Sequence, residues 1–306
     1  MAVAMESASP AGWNLPASDF STAERNTVSE GSALRRAWWR IRNALGLPPA
    51  HDAETRFRLR QRAEGRFTPA WRPGSFRFWW GHVNYVHAGQ LHSQFEEIFV
   101  RRQYAFTSAG PDPVIVDCGG NIGLSAIWFK LTYPRCHLTV FEADSDLAQL
   151  SLDNLKRAGF EDVRVHCAAA WIANETVAFH KTGDDSGRIV RDGSATCPAV
   201  DLSECLPEHV DLLKLDVEGA EFAVLDRLCE TGTIRRVRHL ICEFHVWRDK
   251  TGDLLGTLAK LRANGMQLSM TAAPVPWIGR ADEDAPFENV RRNHVLMEVF
   301  AWQSEN

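Results

Sequence analysis

The 306-residue sequence predicts an α/β fold built on a doubly wound, mostly parallel sheet. The first observation is a continuous apolar run at residues 114–116, which is typical of a strand buried on both faces. The second is the glycine turn G-G-N-I-G at residues 119–123, and the third is the apolar helical segment that follows it at residues 124–131. Strand, glycine turn and helix form the first unit of such a fold and predict a ligand at the turn.

The glycine turn is expected to bring the main chain close to this ligand. Side chains at Gly119, Gly120 and Gly123 would hold the main chain away from the ligand, and glycine also permits a positive φ. Asn121 lies inside the same turn and is expected to share the contact.

A second apolar run, at residues 137–141, ends in Glu142 and is followed by Ala143 and Asp144. A carboxylate at the tip of this strand is placed to accept both hydroxyls of a ribose. The glycine turn is not the G-x-G-x-x-G pattern that places a pyrophosphate on a helix N-terminus, and Asp117 in front of it would repel a phosphate. S-adenosylmethionine carries a ribose, an ammonium and a sulfonium but no phosphate, so it suits this turn better than NAD.

The most specific block is D-V-E-G-A-E, which follows a predicted strand at residues 210–215 and contains Asp216, Glu218 and Glu221. Together with V-D-C-G-G-N-I-G-L-S-A, F-E-A-D and I-C-E-F-H, this block resembles the FkbM-type methyltransferases over residues 96–302. The resemblance implies a Rossmann-like class I methyltransferase with a mostly parallel seven-stranded sheet and helices on both faces. It also implies an enzyme that depends on S-adenosylmethionine, and many members of the family methylate hydroxyl groups on sugars or natural products.

The cofactor is expected to lie along the carboxyl ends of the parallel strands, where ligands bind in open α/β sheets. A third strand at residues 163–167 runs into small residues at 168–170, which would admit an adenine ring. Trp171 could stack on that ring, although a tryptophan packed in the core is the commoner outcome. The residues expected to bind the cofactor are Asp117, Gly119, Gly120, Asn121, Gly123, Glu142, Ala143, Asp144, Ala169 and Asp216.

Methyl transfer from a sulfonium is an in-line displacement, in which the enzyme mainly holds the nucleophile in attack geometry. A hydroxyl acceptor must also lose a proton. His245 is the most natural base because imidazole titrates near neutrality, and Asp216 and Glu243 are the alternatives. Glu218 is expected to contact the acceptor or the main chain. An equally weighted alternative is that His245 has only a structural role and forms a hydrogen bond beside Glu243.

The acids at the strand tips could also hold Mg²⁺, whose protein ligands are carboxylates. Asp216 and Glu243 would then be its ligands. The same carboxylates can instead hold the ammonium of the cofactor, so a reaction without a metal is expected.

Two other classes of function stay open at this stage. An NAD(P)-dependent oxidoreductase would share the glycine turn and the ribose acid, but the pyrophosphate pattern is missing. A cofactor-binding module without catalysis would act through protein contacts, but the acidic positions of the family are filled. Among methyltransferases, sugar, polyketide, lipid-linked glycan and small-peptide acceptors all fit, and N-methylation stays open.

Composition narrows the partners and the compartment. The formal net charge of −5 gives no electrostatic reason to expect nucleic-acid binding. The seven cysteines show no C-x-x-C pair and no zinc spacing, which favours buried free thiols in a reducing compartment. No signal-peptide pattern and no apolar run of about 18–20 residues is present. We therefore expect a cytoplasmic protein that acts on a small-molecule or glycan acceptor, with oligomerisation open.

Three segments are expected along the chain: a disordered segment at residues 1–30, a basic helical arm at 31–74, and the methyltransferase domain at 75–306. Between residues 31 and 72 there are ten arginines against three acids. One interpretation is an arm that binds an anionic partner such as a membrane surface. The other, which has more weight, is a helical cap with a solvated arginine face, including a helix at residues 33–45.

The domain is expected to open with a β-hairpin at residues 75–86 and an amphipathic helix at 93–102. Glu97 and Tyr104 are candidate walls of the site, although an ordinary helix docked on the sheet edge is an equal alternative.

A helix is expected at residues 145–158, with Ser145 as its N-cap and Gly159 at its end. An inserted hairpin would pair residues 176–180 with 188–190, and its T-G-D-D-S-G loop could act as a lid or a substrate loop. The remaining predicted elements are helices at 220–229 and 254–263, and strands at 237–242, 266–270 and 294–302, of which the last is antiparallel.

Overall fold

The computed structural model describes residues 41, 52–65, 72–182, 187–247, 251–272 and 294–303. The strands, in chain order, are β1 (Gly74–Arg77), β2 (His82–Tyr85), β3 (Val114–Cys118), β4 (His137–Glu142), β5 (Arg164–Cys167), β6 (Ala169–Trp171), β7 (Glu175–His180), β8 (Arg188–Ile189), β9 (Ala195–Asp201), β10 (Val210–Leu215), β11 (Val237–Trp247), β12 (Met266–Ala272) and β13 (His294–Gln303).

The helices are α1 (Asp52–Ala63), α2 (Ala88–Phe95), α3 (Leu124–Thr132), α4 (Ser145–Arg157), α5 (Leu202–Cys205), α6 (Glu221–Glu230) and α7 (Thr251–Ala263). A π-helical segment, Glu96–Val100, continues α2, and a 3-10 turn, Thr233–Arg236, follows α6. No helix in the described part of the chain is long and apolar enough to cross a membrane.

A seven-stranded sheet with the order β12-β13-β11-β10-β3-β4-β5 forms the centre of the domain. The five strands from β11 to β5 pair in parallel, and β13 lies antiparallel between β11 and β12. This is the strand order of the class I methyltransferases, so the predicted fold class is confirmed. The direction of winding reverses between β3 and β10, which is where an open α/β sheet binds its ligand.

The apolar runs in the sequence reflect burial on both faces of this sheet. All six residues of β10 are buried, as is every residue of β3 after Val114. One apolar cluster packs α3, α4 and the N-terminal hairpin on one face of the sheet, and a second packs α6 and α7 on the other. Helices on both faces were predicted and are observed.

The N-terminal hairpin, β1 and β2, also follows the prediction, and it carries an aromatic cluster onto α2. The Trp80 ring stacks between Phe78 and Phe99, with centroid distances of 4.3 and 4.6 Å. The helix was expected to begin at residue 93 but begins at Ala88, because the ring of His87 caps it. The hairpin and α2 therefore dock as one unit against the sheet.

The described part of the basic arm is the helix α1, and its arginines bind neighbouring elements. Arg56 forms two hydrogen bonds to the carboxylate of Glu96, at 2.6 and 2.8 Å. Arg62 donates to the carbonyl of Ser75 at 2.7 Å and to the hydroxyl of Tyr85 at 2.9 Å. These contacts favour the interpretation of a helical cap for this part of the arm.

The N-cap of α4 is Asp144 rather than Ser145, so that prediction was wrong. The Asp144 carboxylate accepts hydrogen bonds from the main-chain N–H groups of Asp146 and Leu147. Gly159 follows the helix with φ of +79°, which agrees with its predicted place at the helix end. The early start of the helix matters because it places Asp144 beside the tip of β4.

The insertion after β5 is larger than the sequence suggested. The predicted hairpin is present as β7 and β8, but it belongs to a second sheet of order β6-β9-β7-β8. The strand β9 was missed, because Pro198 and a mixed polar pattern obscure it.

The strand β11 extends five residues beyond its predicted end at residue 242. It continues to Trp247 because β13 pairs with it over that length, whereas its pairing with β10 stops at Cys242. Glu243 and His245 therefore lie within a strand, just past the end of its parallel neighbour, and not in a loop.

Some predicted features lie outside the described residues. These are the disordered segment at 1–30, all of the helix at 33–45 except Ile41, residues 183–186 of the candidate lid, and the proline-rich loop through Pro274, Pro276 and Trp277. The seven cysteines all lie in the described ranges and are free thiols. Five of them are buried, as predicted, whereas Cys167 is partly exposed and Cys205 is exposed.

Candidate active site

A cleft opens to solvent at the carboxyl ends of β3, β4, β10 and β11. Most of the predicted site residues line it, namely Gly119, Gly120, Asn121, Glu142, Ala143, Asp144, Ala169, Asp216, Glu218 and Glu243. Three predicted residues do not line it: Asp117, Gly123 and His245. The cleft therefore collects its side chains from the tips of four different strands, as the sequence pattern indicated.

The glycine turn is shaped by close packing of main chain on main chain. Gly119 has φ of +85°, and a Cβ there would collide with the carbonyl oxygen of Asp216 at the tip of β10. A Cβ on Gly120 would collide with the side chain of Val140. The N–H groups of both glycines donate to the carbonyl of Phe141. Glycine is thus needed to join three strand tips, in addition to the predicted approach of a ligand.

Gly123 has a different role from the other two glycines. It begins α3 with φ of +85°, and a Cβ there would press on the side chain of Ser151 in α4. It therefore sets the packing of two helices and does not face the cleft.

Glu142 lies at the tip of β4 and is held by the two segments on either side of the cleft. One carboxylate oxygen accepts a hydrogen bond from the N–H of Asn121 at 2.7 Å, and the other accepts from the N–H of Asp144 at 2.9 Å. Burial raises the pKa of Glu142 to about 7, against the effect of these hydrogen bonds. Each oxygen retains a second lone pair, so the carboxylate can still accept from two hydroxyls of a ligand.

Asp117 was expected to contact the cofactor, but its side chain lies behind the glycine turn. It is fully buried, and the hydroxyl of Ser125 donates to it at 2.6 Å. Ser125 belongs to the first turn of α3, where the helix dipole favours a carboxylate. Asp117 therefore supports the turn from the inside.

Lys214, which neutralises Asp117, was not predicted from the sequence. Its ammonium lies 3.1 Å from an Asp117 oxygen and 3.6 Å from Asp216, and it donates to the carbonyl of Gly119 at 2.9 Å. Burial acts to lower the pKa of Lys214, but the surrounding anionic groups, Asp117 above all, outweigh it and raise that pKa well above 10.5. The ammonium therefore stays charged and links β10 to the glycine turn. A lysine inside the apolar strand V-D-L-L-K-L was the signal for it.

His245 does not face the cleft as a free base would. Its Nδ1 lies 3.0 Å from Glu221, a fully buried carboxylate that also accepts from the N–H groups of Val217 and Gly219. Its Nε2 lies 3.1 Å from Glu218. Burial acts to lower the pKa of His245, but the hydrogen bonds with both carboxylates raise it well above 6.5. The geometry favours a positioned imidazole over the base that we predicted.

Glu243 lines the cleft beside Asp216, and about a quarter of its side chain is exposed. Burial raises its pKa to about 8, and the charge of Asp216 acts in the same direction. Glu243 also lies 3.9 Å from Nε2 of His245. It is thus a carboxylate at the cleft with a high proton affinity.

One group of side chains has the arrangement of a metal site. Ligand atoms of Asp216, Glu218 and His245 all lie within 4.8 Å of one another. The metal ligands predicted from the sequence were Asp216 and Glu243. Asp216 belongs to the group that the structure brings together, with Glu218 and His245, whereas Glu243 does not.

The two ends of the cleft differ in chemistry. At one end, residues 168–170 form the small apolar wall predicted for adenine, and Phe179, Arg188 and Ile189 of the inserted sheet complete it. Trp171 does not line the cleft, because its indole N–H donates to Glu175.

The other end is polar. Glu97 and Tyr104 form its outer wall, as predicted, together with Gln94 and Ile98 of the α2 region. The acids Asp216 and Glu243 line the same end of the cleft.

Comparison with known proteins agrees with this geometry. Residues 117–268 match the family model described as the methyltransferase FkbM domain. "Methyltransferase 1" of Beauveria bassiana is 27% identical over 169 residues, which cover 45% of this chain and 68% of that protein. "Methyltransferase sdnD" of Sordaria araneosa is 28% identical over 190 residues, covering 47% and 71%.

Solved structures are also similar to this chain. A methyltransferase FkbM from Methylobacillus flagellatus has a TM-score of 0.44 and 17% identity, with 67% of this chain and 47% of that chain covered. An O-methyltransferase from Bacillus cereus in complex with SAH has a TM-score of 0.41 and 13% identity, with 90% and 100% covered. The strand order described above stands independently of these two.

The family match rests on the parts of the chain that build the cleft. It begins at Asp117, takes in the tips of β4, β10 and β11, and ends within β12. It favours methyl transfer over both alternatives, the oxidoreductase and the non-catalytic module. The chain belongs to the FkbM methyltransferase family and is an S-adenosylmethionine-dependent methyltransferase.

Proposed function

We propose that this enzyme transfers the methyl group of S-adenosylmethionine to a hydroxyl of a sugar, glycan or natural-product acceptor. The observation that carries the proposal is the polar end of the cleft, where Glu97, Asp216 and Glu243 offer carboxylates. Carboxylates accept hydrogen bonds from several hydroxyls at once, which is what a polyhydroxylated acceptor presents.

The cofactor would lie along the other end of the cleft. Glu142 would accept the ribose hydroxyls, and the small wall at residues 168–170 would face the adenine. The methionine part would then follow the glycine turn from Gly119 to Asn121 towards the tip of β10. This orientation directs the methyl group towards the polar end of the cleft.

Glu243 is the group best placed to take the proton from the acceptor hydroxyl. It lines the cleft, whereas both ring nitrogens of His245 are engaged with carboxylates. Proton removal by a positioned side chain contributes on the order of 10²–10⁴-fold to a rate. Asp216 would help to orient the acceptor. The cytoplasmic location and the lack of a nucleic-acid partner stay predictions.

The test is a screen of purified protein with S-adenosylmethionine against glycosides, nucleotide-linked sugars, polyketide alcohols and primary amines. Release of S-adenosylhomocysteine is followed, and the methylated atom is located by NMR. We expect O-methylated products from a polyhydroxylated acceptor. Methylation of amines, with no O-methylated product, would overturn the choice of acceptor.

The variant Glu243→Gln separates catalysis from cofactor binding. It keeps the size of the side chain but cannot take a proton, so we expect turnover to fall by about 10²-fold or more with S-adenosylhomocysteine binding retained. Glu208→Gln is the matched control, since Glu208 is an exposed carboxylate before the opposite end of β10. Full turnover in Glu243→Gln would remove this residue as the base.

A further inference from the structure

We propose that Asp216, Glu218 and His245 bind one divalent transition-metal ion at the polar end of the cleft. Their ligand atoms lie within 4.8 Å of one another. Ligands bound to one ion at about 2.0–2.2 Å in a tetrahedral site lie about 3.3–3.6 Å apart. Side-chain rotations that move these atoms by about 1 Å would therefore close the site. The inference rests on the proposed function only in expecting an acceptor hydroxyl at this end of the cleft.

The first support is the way His245 is held. Its Nδ1 lies 3.0 Å from Glu221, and that fully buried carboxylate is itself fixed by the N–H groups of Val217 and Gly219. Carboxylate–imidazole pairs of this kind orient metal-binding histidines in proteins and set their tautomer. The other ring nitrogen, Nε2, lies 3.1 Å from Glu218, and a metal ion bound there would displace the proton that Nε2 shares with that carboxylate.

The second support is the main-chain conformation of Glu218. It has φ of +53°, in the left-handed region that costs a residue with a side chain about 1–2 kcal/mol. A carboxylate that is a quarter exposed gains little from an ion pair alone. Strained residues of this type cluster at binding sites, where the strain presents a side chain to a ligand. The strained main chain of Glu218 therefore supports its role as a ligand at the cleft.

The third support is Tyr104, which lies across the same cleft. The residue is 7% exposed and lines the cleft. Within the described part of the chain its hydroxyl forms no hydrogen bond, although its ring stacks on Phe129 and lies under Lys214. Because Tyr104 lines the cleft, this hydroxyl is available to hydrogen-bond an acceptor or a metal-bound water.

The donor set indicates which ions fit. Two carboxylates and an imidazole suit Mn²⁺, Fe²⁺ or Zn²⁺, whereas Mg²⁺ prefers oxygen ligands only. Such an ion would offset the charges of Asp216, Glu218 and Glu243 and would polarise an acceptor hydroxyl for loss of its proton. We infer that it would orient two neighbouring oxygen atoms of the acceptor, which fits a polyhydroxylated molecule.

The experiment measures metal binding directly. The full chain is stripped with a chelator and titrated with Mn²⁺, and free Mn²⁺ is followed by its EPR signal, with Zn²⁺ as competitor. We expect one Mn²⁺ per chain, displaced by Zn²⁺. Asp216→Asn and Glu218→Gln should each weaken Mn²⁺ binding by on the order of tenfold or more, because each loses a charged ligand. Both side chains are about a quarter exposed, so these variants are expected to fold.

Glu221→Gln is a further variant that touches no ion, and we expect it to weaken Mn²⁺ binding by about 10–100-fold through the orientation of His245. Glu208→Gln serves as the control and should bind as the wild type does. Absence of stoichiometric binding, or equal affinity in Asp216→Asn, Glu218→Gln and wild type, would overturn the metal site. Binding of S-adenosylhomocysteine is measured in parallel, so failure of the metal site is distinguishable from failure of the methyltransferase proposal.

Discussion

Lys214 and Asp117 form a buried ion pair, with the ammonium 3.1 Å from a carboxylate oxygen, and this pair joins the tips of β10 and β3. The side chains are 3% and 0% exposed. The same ammonium donates to the carbonyl of Gly119, so the pair also fixes the turn that lines the cleft. The pair therefore stabilises the glycine turn of the cofactor site, although Asp117 itself does not line the cleft.

Lys214→Met should destabilise the fold and weaken cofactor binding together. Removing one partner of a buried pair leaves an uncompensated charge and costs about 3–5 kcal/mol. The free energy of unfolding is measured by urea denaturation, and S-adenosylhomocysteine affinity by calorimetry. Lys260→Met is the control, because its pair with Asp226 is 40% and 33% exposed and should contribute about 0–1 kcal/mol. Equal losses in both variants would contradict the structural role of Lys214.

The strand tips were predictable because the signals for them are local. A buried run that ends in an acid or a glycine turn indicates both the strand and its edge, and in this way Gly119, Glu142, Asp216 and Glu243 were placed correctly at the cleft. The direction of a side chain at the tip is a different matter. Asp117 precedes the turn and faces α3, and only the packing of that helix on the sheet decides this.

Pairs between elements far apart in sequence were not predictable in the same way. His245 meets Glu221 because β11 packs beside α6, 24 residues apart along the chain. The sequence offered Glu221 as one acid among several and gave no reason to bury it. The strand β9 was missed for a related reason, since it is stabilised by its neighbours β6 and β7 and not by its own pattern.

Gly119→Ala should disrupt the site more than Gly219→Ala. Both glycines have positive φ, +85° and +104°, so alanine costs about 1–2 kcal/mol at each through main-chain strain. Only at Gly119 would the added Cβ also collide with Asp216, because the space around Gly219 is open. Urea denaturation and S-adenosylhomocysteine titration of the two variants test this. A loss in Gly119→Ala no larger than in Gly219→Ala would show that the turn can relax around the extra carbon.

His245→Ala should lower stability as well as turnover. It leaves Glu221 fully buried without its imidazole partner, which costs about 3–5 kcal/mol. It also removes the contact between Nε2 and Glu218. Unfolding is measured with a chelator present, so that metal binding does not contribute. His137→Ala, at an exposed position in β4, is the control. The double variant with Glu221→Ala should recover part of the loss, and a stable single variant with low turnover would instead favour a purely catalytic histidine.

The affinity for S-adenosylhomocysteine should rise with pH as Glu142 ionises. Its folded-state pKa is about 7, above the ordinary value of 4.5. The stability of the ligand-free protein therefore falls as the pH rises from about 4.5 to about 7. Ribose hydroxyls donate to the carboxylate and stabilise the ionised form, and bound ligand therefore recovers part of that cost. If the ionised form alone binds, affinity increases about tenfold between about pH 6 and about pH 8. Calorimetric titration across this range measures the effect, and Glu142→Gln should bind more weakly with no such dependence. A rise of the same size in Glu142→Gln would assign the titration to another group.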